Sequence, residues 1–129
     1  MKEGRFGLDR IGQIAVMVAD LERAVAFYRD KLGMRFLFEV PNMAFFDCGG
    51  IRLMLGVPEK EEFAHKASII YYDVPDLDAA YAALESRGVE FENDPHLVAD
   101  LGESELWMAF LHDSEGNMLA LMSDVRKAG

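Results

Sequence analysis

Apolar residues recur along this chain with two different periods, and the two alternate twice in the same order. Ile14-Ala15-Val16-Met17-Val18 is a short apolar run of the kind a strand covered on both faces needs. Asp20 follows, with a side-chain oxygen that can accept from the first free amides of a helix. Leu21, Val25, Tyr28 and Leu32 then fall at three- and four-residue spacing, while Glu22, Arg23, Arg29 and Asp30 occupy the opposite, wet face. Gly33 ends the predicted helix. Beyond it, Met34 to Val40, Met43 to Cys48 and Ile51 to Val57 read as strands. Gly49-Gly50 forms a tight turn that needs positive φ.

The second half repeats this order. Ile69 to Val74 is a strand, Asp76 a cap, and Leu77, Ala80, Tyr81 and Leu84 an apolar helical stripe that Gly88 terminates. Val89 to Phe91 running on toward Val98, Glu105 to His112, and Met118 to Ser123 are the following strands, with a turn at Glu115-Gly116-Asn117. Asp76-Leu77 thus repeats Asp20-Leu21, and each unit is βαβββ. The charged stretch Pro58 to Lys66 has no periodicity and reads as a linker. The expectation is one α+β domain over residues 1–129, with modules at about 11–57 and 67–124. Each sheet covers one face with its helix, and the open faces form a curved mixed sheet around a shared cleft.

Composition narrows the partners. A chain of 129 residues, 51% apolar and 28% charged, can hold one core without staples. Its 23 acidic against 13 basic residues give a net charge of -10, which repels phosphate backbones and anionic headgroups. Nucleic acid and membrane are therefore excluded as expected partners. Cys48 is the single cysteine, so no intrachain disulfide forms, and a small buried thiol is expected there. Met1-Lys2-Glu3-Gly4-Arg5 lacks a signal-peptide pattern, and no apolar run reaches spanning length; the expectation is a cytoplasmic protein.

Asp20-Leu21-Glu22-Arg23-Ala24-Val25-Ala26-Phe27-Tyr28 with Leu32-Gly33 resembles the first-helix signature of the vicinal-oxygen-chelate superfamily. That superfamily includes glyoxalase I, bleomycin-resistance proteins, extradiol dioxygenases and fosfomycin-modifying enzymes. Asp76-Leu77-Asp78-Ala79-Ala80-Tyr81, Arg87-Gly88-Val89 and the turn His112-Asp113-Ser114-Glu115-Gly116-Asn117 extend the resemblance from about Ile11 to Met122. It implies a homodimer, and the fold more than any one reaction. It also implies four metal-ligand positions, which counting from Asp20 and Asp76 places at Gln13, Met54, Ile69 and Ala120. None is a histidine or carboxylate, so neither a metal nor another cofactor is expected there. Two-residue shifts, to Ala67, Tyr71, Arg52, Gly56, Met118 or Met122, do not restore a ligand set.

Strand alternation adds Ala15, Met17, Tyr71 and Asp73 to the cleft, and the last strands add Arg52, Met54, Met118, Ala120 and Met122. This methionine-rich inventory suits a small organic ligand, or else fills a collapsed core. His96 is either an acid-base group at the pocket or an exposed edge-strand residue, and His65 and His112 read as surface groups. Glu105 and Trp107 share one strand face, either a carboxylate and stacking platform in the cleft or Trp107 packed beneath the second helix with Glu105 at the wet strand end. Phe45 and Phe46 likewise face opposite ways, without a sign of which is which.

Two functional classes follow. One is a metal-free protein that binds a small organic molecule in the cleft, as the bleomycin-resistance branch does. The other is a lyase, isomerase or oxygenase-type enzyme with a non-standard site using His96 or Glu105 as acid-base group. Glyoxalase I and extradiol dioxygenase chemistry are disfavoured, because a lactoylglutathione lyase needs its metal to polarise the carbonyl. A third reading is an interaction module that pairs through exposed strand edges.

Overall fold

The computed structural model describes residues 6–7, 9–58 and 69–128. The expected linker from Glu59 onward with His65, Ala67 and Ser68, and the N-terminal Met1 to Arg5, lie outside the described residues. The first module contains β1 (Gln13–Met17), α1 (Leu21–Ala26, continued by a π-helical turn Phe27–Lys31), β2 (Arg35–Val40), β3 (Met43–Cys48) and β4 (Ile51–Gly56). The second contains β5 (Ile70–Asp73), α2 (Leu77–Ser86), β6 (His96–Asp100), β7 (Ser104–His112) and β8 (Met118–Arg126). Each module makes its own four-stranded mixed sheet, ordered β1-β4-β3-β2 and β5-β8-β7-β6. In each, the first and last strands run parallel and the remaining pairs antiparallel.

Both helices begin where the sequence places them. Asp20 Oδ1 accepts from Arg23 N at 3.0 Å and Asp76 Oδ1 from Ala79 N at 3.1 Å. Both end on glycines in the left-handed region, Gly33 at φ 71° and Gly88 at φ 86°. The π turn is a departure from the predicted 3.6-residue period. Leu32 N donates to Phe27 O, five residues back, and this widened turn carries Phe27 and Tyr28 into the core together. In the second module the expected strand at Val89 to Phe91 reduces to a single bridge between Phe91 and Leu111, and the regular edge strand starts only at His96. Pro95 just before it has no amide to donate, which favours a strand that begins after the proline.

One apolar core runs through both modules. Val16, Val25, Tyr28, Phe46, Leu53 and Leu55 meet Leu84, Leu111, Leu119 and Leu121 on the helix-covered sides of the two sheets. At the junction, Arg87 Nη1 donates to Lys31 O at 2.9 Å, so the C-terminal ends of the helices abut. The β7–β8 turn provides the polar half of the junction. Buried Asp113 accepts from Tyr28 Oη at 2.8 Å, from Asn117 Nδ2 at 2.9 Å, and from the amides of Glu115 and Asn117 at 2.8 Å each. Glu115 reaches further, accepting from Ala19 N at 2.9 Å, Asp20 N at 3.0 Å and Arg23 Nε at 2.7 Å. Asn117 Nδ2 also donates to Met17 O. The turn of one module thus fixes the end of β1 and the start of α1 in the other. Among the described residues no helix is long and apolar enough to cross a membrane.

Candidate functional site

Pairing register settles which side chains share the uncovered face of the first sheet. Gln13, Arg52, Asp47 and Arg35 form one row across the four strands, and Ala15, Met54, Phe45 and Phe38 the next. Met17, Gly56, Met43 and Val40 form the third. The opposite side carries Val16, Leu53, Leu55, Ala44 and Phe46, all buried under α1. Phe45 is therefore the open-face ring and Phe46 the core ring. Phe38 stacks on Phe45 with centroids 4.7 Å apart and planes at 28°. Gly56 leaves a notch, and the tips of Met54 and Met17 come to 3.2 and 3.8 Å of where a Cβ would stand. A flat aromatic and thioether floor results, adaptable in shape because methionine has several low-energy rotamers.

Arg52 supplies the charge at one end of that floor. Its Nε donates to Gln13 Oε1 at 2.8 Å, and its guanidinium lies 5.2 Å from the Phe45 centroid. Gln13 Nε2 in turn approaches Met54 Sδ at 3.9 Å. Gln13, Arg52, Met54 and Met17, all expected from the sequence, are brought together here.

The uncovered face of the second sheet is built the same way. Tyr71, Ala120 and Phe110 form one row, and Asp73, Met122, Met108 and His96 the next. Ala120 is fully buried although it lies on this face, because the rings of Tyr71 and Phe110 flank it with centroids 6.2 Å apart. His96 stacks on Phe110 at 6.4 Å and 28°. Its Nδ1 lies 2.9 Å from Asp94 O; a carbonyl only accepts, so Nδ1 is the donor there and Nε2 is left for another partner. Ile69 sits just before β5 and is 41% exposed. Tyr71, Asp73, Ala120 and Met122 are thus brought together with His96. Phe38, Met43, Phe45, Met108 and Phe110 belong to these floors without being in the sequence-derived set, and fixing strand register from the two hairpin turns is the signal that finds them.

Glu105 and Trp107 are not part of this face. Trp107 pairs with Ser123 and Leu97, on the side that also carries buried Ala109 and Leu111, so both project beside the start of α2. The expectation of Trp107 as a platform in the cleft is corrected by this register. Glu105, the alternative to His96 as acid-base candidate, lies on the same side as Trp107 and so away from the open face, since neighbours at even spacing share one side of a strand. Trp107 Nε1 donates to Glu105 Oε1 at 3.3 Å. Cys48 is half-buried, and burial pushes its thiol up, so it is held in the unreactive form.

The donor chemistry at the four implied metal positions does not fit a divalent cation. Met54, Ile69 and Ala120 offer a thioether and two hydrocarbons, and the single hard donor, Gln13 Oε1, is taken by a guanidinium. A fixed positive charge 2.8 Å from that oxygen opposes a second cation. Among the described residues no three His, Cys, Asp or Glu side chains converge as a metal cluster. The two groups of open-face residues belong to different sheets, and no described hydrogen bond, ion pair or ring contact joins them.

Comparison with known proteins matches this architecture. The family model described as Glyoxalase/Bleomycin resistance protein/Dioxygenase superfamily matches residues 10–121. YraH of Bacillus subtilis (strain 168), described as an uncharacterized protein, is 29% identical over 123 residues, spanning 84% of this chain and 94% of that one. A solved member of the same superfamily from Sphaerobacter thermophilus superposes with a TM-score of 0.75 at 25% identity, covering 90% of this chain and 98% of that one. A lactoylglutathione lyase from Agrobacterium tumefaciens superposes with a TM-score of 0.74 at 23% identity, covering 91% and 95%. That last similarity is one of fold.

Proposed function

The chain belongs to the glyoxalase/bleomycin resistance protein/dioxygenase superfamily, and from that premise we propose that it binds a small organic molecule on its open sheet faces without a metal at the superfamily's four positions. The observation that carries this reading is Arg52, bonded to Gln13 and lying over Phe45 where a cation would otherwise sit. A flat ligand stacks on Phe45 and Phe38, its bulk is accommodated by Met17, Met43 and Met54, and an acidic or carbonyl group pairs with Arg52. Lactoylglutathione lyase chemistry, the activity named for the Agrobacterium neighbour, is not carried over, because that likeness is one of fold at 23% identity and the four implied positions here offer no set of hard donors for a metal.

The complete cleft is proposed to need a second copy. Each module buries its helix side within the chain and leaves its floor uncovered, with Phe38, Val40, Met43 and Tyr71 all more than a third exposed. Apposing the first floor of one chain to the second floor of another covers both. A homodimer has two such sites.

The test joins metal analysis to ligand binding. Purified protein is assayed for zinc, nickel, manganese and iron, then screened by thermal shift with aromatic carboxylic acids before and after chelation. Saturable stabilisation that survives chelation and is lost in Arg52→Met is expected; a stoichiometric metal released by substituting Gln13 sinks the proposal. Mixing Phe45→Asp with Ala120→Arg, each unable to bind alone, restores binding in the heterodimer only when a site draws one floor from each chain. No restoration in a verified heterodimer removes the shared-cleft arrangement.

One observation favours a second reading, the enzyme. His96 leaves Nε2 without a described partner beside Phe110 and Met108, where a general base on that floor would stand. Absence of turnover of any bound ligand overturns this reading, and turnover that persists unchanged in His96→Ala removes His96 as the base.

A further inference from the structure

The β7–β8 hairpin outgrows its counterpart. The last β3–β4 pair is Met43–Gly56, which corresponds in the repeat to Met108–Met122, yet the second hairpin continues through Trp107–Ser123 to Ser104–Arg126. This extension passes the N-terminal end of α2 and borders a half-open cavity of about 430 Å³ lined by Pro75, Asp76, Leu77, Asp78, Glu105, Trp107, Ser123 and Val125. The cavity lies on the helix side of the sheet, away from both open floors.

We infer that this cavity is a second ligand site, specific for a small organic primary ammonium. Three carboxylates line it and no basic side chain does, so an anion attracted by the α2 amides is repelled by its surroundings. Asp76 already caps the helix through Ala79 N, and Asp78 in the first turn offsets the remaining helix dipole. Trp107 contributes a half-buried indole, the strongest of the aromatic faces for a cation, and its N–H orients the Glu105 carboxylate by hydrogen bonding to Oε1. The Glu105 Oε2 atom has no partner among the described residues.

Ser123 distinguishes this cavity from a chance grouping of acids at a helix end. It is only 4% exposed, projects on the cavity side of β8, and its hydroxyl has no hydrogen-bond partner among the described residues. Among the described residues Tyr72 Oη is the one sealed side-chain polar atom left without a partner, so the Ser123 hydroxyl is open to the cavity, where an entering donor can bond to it. Ser123 Oγ, the Glu105 carboxylate and the Asp78 carboxylate are the acceptors this lining offers to the protons of a primary ammonium, whereas a quaternary ammonium has none to give. Pro75, Leu77 and Val125 supply apolar surface for an attached alkyl or aryl stem. The volume suits a small metabolite or drug-sized amine.

Trp107 is the single tryptophan of the chain, so its emission reports on this cavity alone. Full-length protein is titrated with n-pentylammonium, n-pentyltrimethylammonium, 1-pentanol and n-pentanoate at constant ionic strength. The expected result is a saturable change with n-pentylammonium, binding weaker by about tenfold for the quaternary ion, and no saturable response to the alcohol or the carboxylate. Glu105→Gln weakens n-pentylammonium binding by about tenfold, and Asp78→Asn, exposed and remote from the Trp107 hydrogen bond, weakens it by a smaller factor. Ser123→Ala removes the preference for primary over quaternary ammonium. A linear response without saturation, equal response to the alcohol, or unchanged affinity in both carboxamide variants overturns the assignment.

Discussion

The two hairpin turns of the repeat occupy equivalent places and do different jobs. In the first module Phe46 pairs with Leu53, and in the second Leu111 pairs with Leu119, so the second connection is one residue longer. The shorter turn is Gly49-Gly50, both at positive φ, and it serves to reverse the chain. The longer one holds Asp113, Glu115 and Asn117, whose side chains tie the second module to Tyr28, Ala19, Asp20, Arg23 and Met17 of the first. One inserted residue thus separates a connector from a clasp. The clasp fixes the second module against the start of α1 and the end of β1 in the first.

Asp113→Ala tests this contrast most severely. It strips acceptors from the Tyr28 hydroxyl, two backbone amides and Asn117, all inside or beside the core. A loss of about 3–5 kcal/mol is expected from denaturant unfolding, as for removing one partner of a buried charged network. Cys48→Ala, at the corresponding position before the other turn, should cost about 1 kcal/mol or less because it deletes one half-buried thiol. Equal losses would mean the two turns matter alike and the clasp is decorative.

Glu115 gives the comparison a pH dependence. The Arg23 guanidinium, helped by the Asp20, Ala19 and Ser114 donors, holds its carboxyl down at about 2, below the ordinary 4.5. A carboxylate with a depressed folded pKa stabilises fully above its unfolded pKa, and that contribution fades as pH falls from about 4.5 through 2. Its side chain is 3% exposed while Arg23 is 57% exposed, so the screened contribution is on the order of 2 kcal/mol. Glu115→Gln should lower the unfolding midpoint at pH 7, with the gap to the parent chain closing toward pH 2. A gap constant across that range would place the loss in packing rather than charge.

The sequence makes the repeat legible because short-range periods carry it: Asp20 and Asp76 cap, Gly33 and Gly88 terminate, and the stripes from Leu21 and Leu77 face inward. Glu115 as a clasp is not legible, since its partners at Ala19 and Asp20 lie 96 and 95 residues away and nothing in its neighbours marks it. The face of Trp107 is hidden for another reason. Leu106, Met108 and Phe110 are as apolar as Trp107, Ala109 and Leu111, so alternation without polarity cannot choose between them. The open-face place of Gln13, Arg52 and Met54 is legible because the repeat supplies their positions, whereas the Arg52–Gln13 bond joins residues 39 apart and shows only once the strands are paired.

The smallest expected effect has the opposite sign in the two turns. Gly49 sits at φ 60°, where asparagine is the best tolerated side chain, and an added Cβ would meet nothing within 4 Å. Gly49→Asn restricts the unfolded chain by more than the small strain asparagine carries at this φ, and should stabilise by about 0.5 kcal/mol. Gly116, at φ 82°, also has room for a Cβ, but its amide donates to Asp113 O and its neighbours are Glu115 and Asn117. Any backbone relaxation there moves both clasp residues, so Gly116→Asn should destabilise by about 1 kcal/mol. Thermal midpoints of the two variants, measured together at pH 7, separate a turn that can be improved locally from one whose conformation is set by the other module. Stabilisation by both would return the second turn to the role of a simple connector.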